Sequence, residues 1–334
     1  MLRRTSYTAQ FKPDKDRFDI HHRREHCSAN SNQIDMIGLN RGQQVRIERP
    51  TASGTTLALY TIIDTHEEEP DAVFVGYTDV EDDLGKRLGL SNTKPFTGNL
   101  NAQVTAADLT VSQARCNSEF IEQLDDNGDH RGLIVIAPHG GDIEEYTDEQ
   151  AEHVGKQLSS KCVSVWVCKG FKKGGRAFDR WHITSTDISE KSFPKLKTVF
   201  GRRFEYAVAF HGMERDSICI GGSKSLPDRL KKDIKKAIKD AVCGSGIDVA
   251  TEGPGCPDNF NGNCKENIVN RLGTIGVQIE QSMEARKCYG NSNRQCGCQC
   301  HWPEDQGVTT SVLEMPNTLF ASGRLAFMAH RRFC

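Results

Sequence analysis

Three apolar runs in this chain each end in a residue able to bind a metal or move a proton. Leu133–Ala137 (LIVIA) leads into Pro138-His139-Gly140-Gly141-Asp142-Ile143-Glu144, Tyr206–Phe210 (YAVAF) into His211-Gly212, and Ile275–Ile279 (IGVQI) into Glu280-Gln281-Ser282. In open α/β sheets, ligands bind beyond the carboxyl ends of the strands. If these runs are parallel neighbours, His139, Glu144, His211 and Glu280 converge on one crevice. Two histidines and a carboxylate make a donor set that holds zinc with one position open for water. A second, non-ligating carboxylate is the general base that such a water needs. The glycines after His139 and His211 let the backbone bend tightly at that point. Taken singly, each histidine reads as an ordinary loop residue and Glu280 as a turn cap; the conjunction is what points to a site.

The elements that would carry these residues follow from the apolar pattern. The first 30 residues mix Arg, Lys, His and Asp without apolar periodicity and read as a loose leader. Residues 31–110 read as a small β-rich subdomain. Gln44–Glu48 alternates in period two, Leu57–Ile63 and Ala72–Tyr77 are further short runs, and turn-forming stretches such as Pro50-Thr51-Ala52-Ser53-Gly54 separate them. Beyond Val111 the texture changes. Phe120, Ile121 and Leu124 suggest a helical face, and Leu133–Ala137 and Val163–Cys168 read as buried strands. Thr147-Asp148-Glu149-Gln150 has the form of a capping box ahead of Ala151, Val154 and Leu158. Leu230, Ile234, Ala237, Ile238, Ala241 and Val242 lie on one helical face, stopped by Gly244. This alternation assigns 111–286 to an α/β domain with a parallel or mixed sheet. Residues 287–334 begin as a Cys-, Asn- and Gly-rich segment and regain apolar character at Leu319–Met328, as a C-terminal helix or tail.

Charge and composition bound the partners. Of 334 residues, 43 are basic and 45 acidic, so the net charge of −2 excludes a globally basic nucleic-acid binder. No apolar run approaches the ~18 residues of a membrane span. The polar start, with Asp14, Asp16 and Asp19, lacks the apolar stretch of a signal peptide. A soluble chain, cytoplasmic by preference and monomeric, is expected, with most of its 13 cysteines as reduced thiols. Against this neutral background Lys169, Lys172, Lys173 and Arg176 form a basic loop punctuated by Gly170, Gly174 and Gly175. It reads either as a solvated loop or as a contact for an anionic substrate.

The motifs APHGGDIE (137–144), CKGFKKGGRAFDRWHITSTDI (168–188), YAVAFHG (206–212), GSGI (244–247), NIVNR (267–271) and GVQIEQS (276–282) fall in one order. They resemble the phage-type poly-γ-glutamate hydrolase family over about residues 30–286. The resemblance implies a carboxypeptidase-like α/β fold, an open mixed sheet flanked by helices with a small N-terminal β-rich subdomain. It also implies one zinc ion and hydrolysis of γ-amide bonds in poly-γ-glutamate. On the matching positions the zinc ligands fall on His139, Glu144 and His211, and the catalytic carboxylate on Glu280. Arg180, His182 and Arg271 are then candidates for steadying the oxyanion. Lys169, Lys172, Lys173, Arg176, Asn270 and Arg271 are candidates for the substrate's free carboxylates. Two rival readings stand beside this one: a zinc deacylase or peptidase on a small γ-glutamyl or N-acyl amino acid, and a non-catalytic protein that binds an anionic polymer. No export signal accompanies a substrate that is usually extracellular, so release by lysis is one resolution. The resemblance gives out after Gln281-Ser282-Met283-Glu284-Ala285-Arg286, where no closing helix is evident. Cys296, Cys298, Cys300 and His301 lie beyond it and do not have the paired C-x₂-C form of a structural zinc site.

Overall fold

Short alternating strands build the first hundred residues. In the computed structural model the described residues are 5–18, 23–78, 83–90, 93–126, 128–158, 163–242 and 245–290. Strands β1 (Ser6–Pro13), β2 (His26–Asn30), β3 (Gln44–Thr51), β4 (Gly54–His66), β5 (Ala72–Val75) and β6 (Phe96–Asn101) close into a barrel ordered β1-β5-β2-β4-β3-β6. Helices α1 (Ser31–Met36) and α2 (Asp83–Leu88) lie in its connections. Phe11, Cys27, Val45, Ile47, Ile62 and Leu100 are wholly buried in its core. The described residues of the leader are therefore not loose: β1 pairs with both β5 and β6, and β2 with β4 and β5. Its period-two pattern in β1 is only three residues long, Tyr7, Ala9 and Phe11, and the polar Thr8, Gln10 and Lys12 alternate with it.

Helix α3 (Val111–Asn117) starts at Thr110, whose side chain and that of Gln113 cap one another's backbone. The next apolar cluster is a strand and not a helix: β7 (Phe120–Asp126) holds Phe120 and Ile121. So short an apolar run satisfies either period, and pairing into the sheet decides it. The chain continues as β8 (Leu133–Gly141), α4 (Thr147–Gln157), β9 (Val163–Gly170), α5 (Ala177–Trp181), α6 (Pro194–Phe200), β10 (Phe204–Gly212) and β11 (Ser217–Gly222). It then forms α7 (Asp228–Ala241), β12 (Asp248–Ala250), α8 (Ile268–Leu272), β13 (Gly273–Gln281) and α9 (Met283–Gly290). Strands β7 to β13 form one mixed sheet in the order β12-β11-β13-β10-β8-β9-β7. Within it β8, β10 and β13 run parallel and β11 runs antiparallel to β13. Leu133, Val135 and Ala137 of β8 pack with Ala151 and Val154 of α4, and Leu230, Ile234 and Ile238 of α7 lie in the same core.

By their internal contacts these elements form two units. The first is the chain up to Glu122 together with Gly170–Lys197; the second is Gln123–Lys169 together with the chain from Thr198 onward. The stretch carrying Lys172, Lys173, Arg176, Arg180 and His182 thus belongs with the barrel. In the second unit α9 follows the Gln281-Ser282 turn and supplies the closing helix that the sequence does not make evident; Ala285 is its buried contact. Cys219 of β11 is joined to Cys256 by a disulfide, a covalent tie among cysteines expected to be mostly thiols. Cys296, Cys298, Cys300, His301 and Leu319–Met328 lie outside the described residues. No helix among the described residues is long and apolar enough to cross a membrane.

Candidate active site

Strands β13, β10 and β8 are consecutive neighbours, so their carboxyl ends meet. His211 of β10 is in register with Glu280 of β13, and Ala209 of β10 with Ile136 of β8. Leu133–Ala137 is buried throughout and the other two runs are buried toward their carboxyl ends, at Ala209-Phe210 and Gly276–Ile279, and the first ionisable residue after each run is left at its end. His139, Glu144, His211 and Glu280 are all buried, between 2% and 6% exposed, which for ionisable side chains requires partners. The two imidazoles face each other, Nδ1 to Nδ1 at 3.2 Å. Glu144 closes on both: Oε1 lies 3.1 Å from His139 Nδ1 and Oε2 3.4 Å from His211 Nδ1. Burial pushes the Glu144 carboxyl upward, but the two imidazoles hold it well below the ordinary carboxylate range. Glu280 is the reverse: burial and then the Glu144 charge drive it well above that range, against Gln278 and Arg286.

Local folding places Glu144. Its backbone N–H donates to the His139 carbonyl at 2.8 Å, closing the loop from β8, and Thr147 Oγ1 donates to the Glu144 carbonyl at 2.8 Å. Thr147 is therefore inside α4 and does not cap it; the preceding Tyr146 takes a left-handed φ of 74° with no side-chain cap. Asp148, in the first turn of α4, accepts from Gly141 N at 2.9 Å and pairs with Lys169 Nζ at 3.0 Å. Gly140 fits beneath this clasp only because it has no side chain. A Cβ there would stand 2.7 Å from the Cys168 carbonyl oxygen and closer still to Asp148 Cβ. Gly140→Ala is accordingly expected to cost about 2 kcal/mol of stability and to lower the melting temperature by roughly 4–8 °C. Thermal unfolding checks this, and an unchanged melting point would show the clasp to be slack.

The second glycine has a comparable reason. Gly212 N donates to Glu144 Oε2 at 2.9 Å, and a Cβ on Gly212 would stand 2.5 Å from Arg286 Cζ. Arg286, 5% exposed, donates to the carbonyls of Glu145 and Gln281 and faces the charges of Glu144 and Glu280. Sequence reasoning passed over Arg286, Asp148 and Gln278; the signal for each is a polar residue buried by the fold, which no spacing marks.

The remaining candidates have individual surroundings. Lys169 is 5% exposed and its charge is met by Asp148 and Glu152, so it is an internal ion pair and not a free basic group. Asn270 donates its amide to the carbonyls of Gly262 and Cys264, at 2.7 and 2.8 Å. Arg271 lies over the Phe200 ring at 4.9 Å. In the first unit Lys173 is exposed, Arg176 pairs with Asp179 at 2.7 Å, and burial lowers Lys172 and Arg180 from their ordinary basicity. His182 stacks on Phe178, and its Nδ1 lies 2.6 Å from Oε1 of Glu25, a wholly buried residue of the supposed leader. Burial raises the Glu25 carboxyl, yet His182, Arg87 and the Thr184 N–H outweigh it and hold the group far below its usual range.

Chemically, the second unit presents two imidazole nitrogens and a carboxylate converging in a buried space, with a further carboxylate one strand away. This donor set suits zinc. The poly-gamma-glutamate hydrolase family model matches residues 112–297, more than half of the chain. The chain belongs to the poly-gamma-glutamate hydrolase family. Among curated relatives, the SPbeta prophage-derived protein YoqZ of Bacillus subtilis strain 168 is 28% identical over 161 residues, 47% of this chain and 51% of its own length. YndL of the same organism is 30% identical over 159 residues, 46% of this chain and 55% of its own. The chain thus spans about half the length of the curated relatives it matches. A solved bacteriophage poly-gamma-glutamate hydrolase superposes with a TM-score of 0.45 at 22% identity, covering 61% of this chain and 90% of that one. The family is one of hydrolases, and the matched span contains His139, Glu144, His211 and Glu280.

Proposed function

We propose that this chain hydrolyses the γ-glutamyl amide bonds of poly-γ-glutamate, with His139, Glu144 and His211 holding one zinc ion and Glu280 serving as general base. The observation that carries the reading is the adjacency of β13, β10 and β8. It sets a His₂Glu donor group beside a separate buried carboxylate at the carboxyl ends of three parallel strands. The residues fit the metal: two imidazole nitrogens 3.2 Å apart, both against one carboxylate, concentrate lone pairs that a divalent cation satisfies. Zinc in such a site lowers the pKa of water toward ~7 and polarises a carbonyl.

The protein's own groups then move the proton and hold the substrate. Glu280 takes the proton of the attacking water and returns it to the nitrogen of the leaving amine. Arg180 and His182 are the candidates for steadying the oxyanion, His182 with its ring oriented by Glu25. Lys172, Lys173, Arg176 and Arg271 are the candidates for the substrate's free α-carboxylates. Lys169 and Asn270 are assigned supporting roles, because their polar atoms already serve Asp148, Glu152 and two backbone carbonyls.

Incubation with poly-γ-glutamate, with and without a chelator, tests the reading by following polymer length. Shortening that the chelator abolishes and added zinc restores is expected. Absence of shortening under zinc-replete conditions would sink the polymer assignment and leave a small γ-glutamyl or N-acyl amide as the substrate to try.

A further inference from the structure

Two residues before Glu280, on the same face of β13, lies a glutamine that is 4% exposed. Gln278 Nε2 donates to Glu280 Oε1 at 2.8 Å and to the Phe260 carbonyl at 3.3 Å, and its Oε1 accepts from Asn267 Nδ2 at 2.7 Å. Asn267, equally buried, accepts the Val269 backbone N–H on its own Oδ1 at 3.1 Å, as the cap of α8. This order leaves no freedom in the amides. The Val269 donor fixes Asn267 with its oxygen toward α8 and its nitrogen toward Gln278. That nitrogen requires the Gln278 oxygen, so the Gln278 nitrogen must face Glu280.

The surrounding backbone is shaped to the same side chain. Gly262 sits in the left-handed region at φ +63°, and a Cβ there would stand 2.7 Å from Gln278 Cβ and 2.8 Å from its Oε1. The loop holding Gly262 and Phe260 follows Cys256, whose disulfide fastens it to Cys219, the residue of β11 in register with Glu280.

We propose that Gln278 is a positioning residue for Glu280: its amide, locked by Asn267 and the Phe260 carbonyl, holds one carboxylate oxygen and presents the other, Oε2, for proton transfer. The inference rests on the general-base role proposed above for Glu280. A carboxylate held by one fixed donor keeps a single rotamer, and proton transfer depends on that geometry before it depends on basicity. Gln278 touches no reacting atom, so its loss alters how often Glu280 is aligned and leaves substrate and metal binding alone.

The test is Gln278→Met, which keeps the length of the side chain and removes the donor, assayed on poly-γ-glutamate alone and in a Glu280→Gln background. Expected is a 10- to 100-fold fall in kcat, on the scale of lost supporting contacts, with KM and zinc content within about twofold of the parent. In the Glu280→Gln background the same change should have no further effect on residual turnover. Full kcat in Gln278→Met beside an inactive Glu280→Gln overturns the proposal and leaves the base assignment standing. Full activity of Glu280→Gln itself overturns the base assignment, and the proposal with it. An equal loss in both backgrounds, or a parallel loss of zinc, marks Gln278 as merely structural and also overturns the proposal. Should Gln278→Met fail to fold, as read from its melting curve, Asn267→Ser, whose hydroxyl can still cap α8 but is too short to hold the Gln278 amide, is read by the same outcomes.

Discussion

Replacing Glu280 with glutamine is expected to lower kcat by ~10³-fold or more while leaving the fold and zinc content intact. General acid–base groups contribute about 10²–10⁴-fold, and this one is asked to act twice, on the attacking water and on the leaving nitrogen. The substitution is nearly isosteric, and the amide oxygen still accepts from Gln278 Nε2, so the buried network around β13 keeps its bond. The neutral side chain also ends the repulsion between Glu280 and Glu144, so the variant should melt no lower than the parent. Steady-state kinetics with metal analysis and a melting curve check all three statements. Undiminished turnover would remove Glu280 from the mechanism.

Glu144→Gln should act by a different route. Glu144 faces both imidazoles and accepts the Gly212 N–H, so glutamine removes the charge proposed to hold the metal and places an NH₂ against nitrogens or the Gly212 donor. Partners one step removed from a metal are worth about 10–100-fold in affinity; a ligand itself should exceed that, and zinc should dissociate on dialysis. Activity should fall with bound zinc and recover only partly at millimolar zinc, whereas Glu280→Gln should stay zinc-replete and inactive. Zinc retained at parental affinity in Glu144→Gln would exclude Glu144 as a ligand.

The site was legible in the sequence because its strands are buried on both faces. Unbroken apolar runs mark such strands, and the first ionisable residue after each run then has a defined place. That reasoning identified His139, His211 and Glu280 as neighbours in waiting, and the pairing of β10 with β8 and β13 supplied the order no single run contains. In the barrel β3 was legible by its alternation and β4 by its apolar run, but β1 offers only three alternating apolar residues and β2 only Cys27 and Ala29 between polar ones. Glu25 was hidden with them, since its reason for being there is His182, far along the chain. Phe120–Asp126 shows the limit of periodicity over short runs. Arg286, Asp148 and Gln278 show another: a buried polar group is recognised by what it touches, and the Cys219–Cys256 pairing likewise depends on strand β11 meeting a distant turn.

The first unit is assembled from two separate stretches of chain, and this bears on the order in which the protein can form during synthesis. A ribosome emits roughly 5–20 residues per second, and all of Gln123–Lys169 must emerge before Gly170–Lys197 can join the barrel. Until then Glu25 lacks His182 and the Thr184 N–H, His26 lacks Asp187, and the Gln44 backbone lacks Ser192. A barrel nascent on the ribosome therefore has, among the described residues, Arg87 as the one early partner of a carboxylate destined for full burial, and its last step of consolidation must wait for residues encoded after α4 and β9. Vectorial folding from the N-terminus is thus interrupted: the unit begun first is held open while the first stretch of the second, Gln123–Lys169, is made, and is completed only then.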